Sequence, residues 1–105
     1  MNIYQDFKSK IEKYNIAKFW IENVSKKTDK NDENVNEKYI EWQKYVSLID
    51  DILSQLDYEQ RDIIEKIYIA KIGKENMNYS ISTFYLKQKR AVQRFLEIYN
   101  FGESV

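Results

Sequence analysis

Apolar residues recur along this chain at steps of three and four, and the polar stretches between them divide it into four helical segments. In residues 2–24, Tyr4, Phe7, Ile11, Tyr14 and Ile21 share one side of a helix that turns about 100° per residue. Ala17, Trp20 and Val24 widen that stripe, and Lys18 interrupts it. The stretch from Ser25 to Asp32 is wholly polar and reads as a surface loop. From about residue 33 to 56, Val35, Tyr39, Trp42, Val46, Ile49, Leu53 and Leu56 alternate steps of four and three without a break, a heptad seam that Tyr45, Leu48 and Ile52 widen. Two seams joined by a short polar loop predict an antiparallel helical hairpin, its seams paired with each other or shared with a second copy or another partner. Trp20 and Trp42 lie on these stripes and are expected in the core, because aromatic side chains dominate buried area.

Asp57 with Gln60 three positions later forms a capping-box pattern that opens a third helix over residues 58–71. Ile63, Ile64, Ile67, Tyr68 and Ile72 give it an apolar side, and Gly73 is expected as the left-handed residue that ends it. Residues 73–79 break the pattern, after which Ser80 or Ser82 can cap a fourth helix over 80–99. One face of that helix holds Phe84, Tyr85, Gln88, Ala91, Val92, Phe95, Leu96, Ile98 and Tyr99. The other holds Ser82, Thr83, Leu86, Lys87, Lys89, Arg90, Gln93, Arg94 and Glu97, with Thr83, Lys87, Arg90 and Arg94 spaced as a single ridge. Such a helix can grip a core with one face and offer hydroxyls and cations to a phosphate backbone with the other.

Composition sharpens this picture without redirecting it. The chain has 105 residues, 43% of them hydrophobic and 15% aromatic, which is apolar material for one core. It has no Pro and only Gly73 and Gly102, so neither a turn-rich β-sandwich nor a glycine-rich phosphate loop fits. The expectation is an all-α, four-helix arrangement in a single domain: a long antiparallel hairpin over 1–56, then a helix pair over 57–105. Net charge is zero, but it is unevenly spread. Residues 39–71 carry seven acidic side chains against four basic ones, whereas residues 80–99 carry four basic ones against Glu97 alone.

The absence of Cys and His excludes disulfides, cysteine-based zinc sites, thiol catalysis and histidine acid–base chemistry. Asp50 and Asp51 point about 100° apart on a helix and do not converge on one ion. Asp29, Asn31 and Glu33 alternate without the glycine and closing glutamate of a calcium loop. Neither group is expected to bind metal, and the chain is expected to be no enzyme, with no cofactor and no small-molecule substrate. Charges at Asp6, Lys8, Lys10, Glu12 and Lys13 argue against a signal peptide over residues 1–24, and no segment approaches the roughly 18–20 apolar residues of a membrane span. A soluble, cytoplasmic protein is expected.

The last half of the chain resembles a known family. Leu56-Asp-Tyr-Glu-Gln-Arg-Asp-Ile-Ile-Glu-Lys-Ile-Tyr-Ile69 is similar to the opening helix of sigma-factor region 4. Ser80-Ile-Ser-Thr-Phe-Tyr85, followed by Lys87, Lys89, Arg90, Ala91 and Val92, resembles the recognition helix of that region, and more closely that of ArpU-like phage-type transcription regulators. The resemblance covers about residues 56–99, with one departure. Only residues 73–79 stand where a full helix-turn-helix keeps its supporting helix, so the motif is shortened, with Met77 and Tyr79 placed to replace the missing packing.

The resemblance implies a transcriptional regulator that binds double-stranded DNA with its last helix. Ser82, Thr83, Leu86, Lys87 and Arg90 would then face the groove, and Lys89, Arg94 and the helix N-terminal amides near Ser82 would hold phosphates. A homodimer through the hairpin would supply a second half-site, or RNA polymerase a second contact. The other reading is a non-enzymatic helical protein-interaction module that contacts RNA polymerase or self-associates through the hairpin.

Overall fold

The computed structural model describes residues 2–27 and 33–104, with side chains over 2–24 and 36–102. Residues 28–32 of the expected polar loop, including Asp29 and Asn31, lie outside the described residues, as does the Val35 side chain. The fold is all-α: α1 (Ile3–Lys27), α2 (Glu33–Gln55), α3 (Tyr58–Ile63, continuing as a π-helical segment Ile64–Ile69) and α4 (Ile81–Ser104), with no strand among the described residues.

α1 and α2 run antiparallel, the partner on α2 stepping back from Asp50 to Trp42 as α1 runs on from Tyr14 to Trp20. Lys10 O accepts from the Tyr45 hydroxyl at 2.8 Å, Asp50 accepts from the Tyr14 hydroxyl at 2.6 Å, and Trp20 stacks on Trp42 with ring centroids 6.1 Å apart. The seams pair as their spacing demands, but only at one end of the hairpin do they enter the core. There Phe7, Ile11 and Tyr14 of α1 meet Ile49, Ile52, Leu53 and Leu56 of α2, with Ile64 and the Ala91, Val92, Phe95 and Leu96 face of α4 closing over them. Phe7 lies at the middle, its ring edge-on to Tyr68 at 4.8 Å and to Phe95 at 5.0 Å. Each fully buried side chain of this kind contributes about 1.5–3 kcal/mol.

At the other end the expectation for the tryptophans is corrected. Trp20 is exposed and Trp42 only half-buried, so the two rings cover each other instead of entering the core. Lys18, the break in the α1 stripe, stays exposed with its ammonium 5.1 Å from the Tyr14 ring centroid.

The capping box at Asp57 is present in both halves: the Gln60 N–H donates to the Asp57 carboxylate at 2.8 Å, and the Asp57 N–H donates to the Gln60 side chain at 3.3 Å. The end of this helix differs from expectation. After Ile64 the turns widen to π spacing, so the Ala70 N–H donates to Glu65 O at 2.8 Å and the Ile72 N–H reaches back to Lys66 O at 2.7 Å. That closure requires a left-handed residue at Lys71 (φ 58°), whereas Gly73 is extended at φ −65°, ψ 148°. The wide turns consume the register early and place the reversal on a lysine. A residue with a Cβ is strained there by about 1–2 kcal/mol.

Between Gly73 and Ser80 the chain makes a single 3₁₀ turn, Lys74–Asn76. The strap after it packs inward through two side chains: Met77 is buried against Ile63 and Phe84, and Tyr79, with Ile67, packs on that small cluster.

Candidate nucleic-acid interface

α4 begins at Ser80, whose hydroxyl accepts the Thr83 N–H at 3.3 Å and donates to the Thr83 hydroxyl at 2.8 Å. Of the two candidate caps, Ser80 is the one used. From there Phe84, Ala91, Val92, Phe95 and Leu96 anchor one face, which turns the opposite face outward over its whole length.

Ser82, Thr83, Leu86, Lys89, Arg90 and Arg94 are exposed, and Lys87 is half-buried. At 100° per residue they fall within one outward arc about 160° wide, with Ser82 and Lys89 at one edge, Leu86, Arg90, Thr83 and Arg94 through the middle and Lys87 at the other edge. Within the arc the side chains are differently committed. Arg90 has no acidic partner among the described residues and is the most available cation. Arg94 meets Glu97 at 3.3 Å, an exposed pair of small energetic weight that solvent and salt weaken further. Lys87 is held more firmly, its ammonium donating to the Glu59 carboxylate of α3 at 2.6 Å and lying 5.4 Å from the Tyr79 ring centroid. The Glu59 hydrogen bond raises the Lys87 pKa above the ordinary lysine value, so this group is a cation throughout the physiological range.

Glu59 is the residue that sequence reasoning missed. No spacing rule connects it to Lys87, since the two lie 28 positions apart. The signal was the opposition of an acidic middle segment to a basic last helix, and Glu59–Lys87 is where those segments meet. Its consequence is electrostatic, because one of the four cations of this helix is already neutralised by its neighbour.

The start of α4 is also apolar on its outside. Ile81, Tyr85 and Leu86 are exposed, and the Lys74 ammonium donates to the Tyr85 hydroxyl while lying over its ring. Among the described residues no group of acidic side chains is placed to hold a metal ion, and no helix is long and apolar enough to cross a membrane. Compared with known families, curated proteins and solved structures, the chain matches none.

Proposed function

We propose that this chain is a DNA-binding regulator of transcription, without catalytic activity, whose last helix reads double-stranded DNA. The observation that carries the reading is the outward arc of α4, where Thr83, Leu86, Arg90 and Arg94 stand exposed together on a helix locked in place by Phe84, Val92 and Phe95. Arg90 suits a guanine edge, Thr83 and Leu86 suit a thymine methyl, and Arg94 and Lys89 suit phosphates. Lys87 joins them once a phosphate takes the place of Glu59.

The test is binding to mixed-sequence duplex DNA at about 50 and 200 mM salt. Four cations predict a loss of about a hundredfold across that range. Arg90→Ala should relax base preference, and Arg94→Ala should weaken binding to all sequences alike. Absence of binding at the lower salt overturns the reading. The exposed Ile81 and Tyr85 favour a second one, a helical module docking on a protein such as RNA polymerase, since aromatic and aliphatic side chains at a helix end suit protein surfaces.

A further inference from the structure

The two edges of the outward arc of α4 differ in charge. At one edge the arc meets α3, where Glu59 holds the Lys87 ammonium at 2.6 Å. A second anion approaching there meets a cation already matched. The Ser82 and Lys89 edge borders Tyr85, and Tyr85 ties it to the strap of residues 73–79.

Tyr85 lies three residues after Ser82 and four before Lys89, so the three make one row along the helix. The Lys74 ammonium of the strap donates to the Tyr85 hydroxyl and lies 4.8 Å from its ring centroid. It meets no carboxylate among the described residues, and neither does the exposed Lys89. The acid beside Lys74, Glu75, folds its carboxylate back over Gly73, into the space a Cβ would fill there. An ammonium only donates, so the Tyr85 oxygen accepts from Lys74 and keeps its own proton to give. No described group takes that proton. This edge therefore presents two cations and a hydroxyl, all donors, with no acid to answer them. Met77, buried against Ile63 and Phe84, pins the strap beneath and so fixes where Lys74 stands.

We infer, resting on the reading of α4 as a DNA-facing helix, that Lys74, Tyr85 and Lys89 together grip a phosphate of the duplex backbone. Tyr85 has two parts in this: its hydroxyl donates to the phosphate, and its ring and oxygen position Lys74. Of the three, only Lys89 belongs to the arc itself; Lys74 comes from a different element and extends the surface onto the strap. The grip also gives the docking a direction. A helix in the major groove, about 12 Å wide, has a backbone along each flank. The strand on the strap side is the one held, whereas the strand on the α3 side is met by Glu59 and gains Lys87 only when that pair opens.

The test is the affinity of the full chain for mixed-sequence duplex DNA at several salt concentrations between about 50 and 200 mM. Lys74→Gln should weaken binding about three- to tenfold and lower the salt slope by about one ion, the share of a single phosphate contact. Lys74→Arg keeps the charge and should restore the slope. Tyr85→Phe keeps the ring under Lys74 and loses only the hydroxyl, so binding should weaken about two- to tenfold with the slope unchanged. Lys44→Gln, on the far half of the hairpin (the arm, which α4 does not reach), should change neither quantity. All four positions are exposed or half-exposed, and circular dichroism should show equal helicity throughout. A wild type that does not bind at the lowest salt removes the DNA reading and this proposal with it. A wild type that binds, with Lys74→Gln no different from Lys44→Gln and Tyr85→Phe without effect, overturns this proposal alone.

Discussion

The two halves of the helical hairpin follow one sequence rule and end in different environments. Near the core, Phe7, Ile11, Tyr14, Ile49, Leu53 and Leu56 are buried; toward the free end, Trp20, Tyr39 and Trp42 occupy the same kind of position and stay exposed or half-buried. The steps of three and four do not change between the halves. What changes is α4, whose Val92 and Phe95 face reaches only the first half. Periodicity states which side of a helix seeks a neighbour; a third element must arrive before that side is buried.

The sharpest way to break this contrast is truncation of matched phenylalanines. Phe7→Ala in the core should cost about 3–5 kcal/mol, because it leaves a cavity among Tyr68, Phe95 and Ile11. Phe19→Ala on the arm should cost under about 1 kcal/mol. Urea unfolding monitored by helicity reads both, and equal losses would mean that the arm is as much part of the core as the proximal half.

Removal of the Asp57 cap comes next. Asp57→Ala should cost about 1 kcal/mol, because it frees the Gln60 N–H at the start of the helix that carries Ile63 and Ile64 into the core.

The Tyr14–Asp50 bond sits where the buried half gives way to the arm, and pH probes it. Burial, then the hydrogen bond to Asp50 and the charges of Asp50 and Glu65, push the Tyr14 pKa above the ordinary tyrosine value. A raised folded-state pKa means that the stability is intact below the free tyrosine range of about 10 and is lost as pH climbs from there through the raised value. Stability measured between about pH 9 and 11 should therefore fall more steeply for the wild type than for Tyr14→Phe. Parallel curves would place Tyr14 in water.

The smallest stability effect is expected at the end of the π segment. Lys71→Gly should stabilise the fold by about 0.5 kcal/mol, the relief of left-handed strain at φ 58° less the added chain entropy of glycine. At the other surface, Glu59→Gln should tighten DNA binding a few-fold, because Lys87 no longer has to leave a carboxylate before it meets a phosphate.

Much of this was legible from residue spacing. Four helices, the antiparallel seams, the Asp57–Gln60 box, a serine cap at Ser80 or Ser82 for α4 and its outward arc all follow from interactions within a few residues, where 3.6-residue periodicity and cap chemistry act. The candidate interface was legible as a set of positions, but not in the state of each cation. Arg90 is available, Arg94 is loosely paired and Lys87 is held by Glu59.

The chain by itself therefore determined the helices, their apolar sides and their starting caps, because those depend on local backbone geometry. Tertiary structure decided the rest. α4 selected which half of the seam became core, and the wide turns after Ile64 moved the left-handed reversal from Gly73 to Lys71. The approach of α3 to α4 gave Lys87 its carboxylate partner. Each of these depends on where distant segments come to rest, and burial, register at a packed helix end and long-range ion pairing all require that placement before they exist.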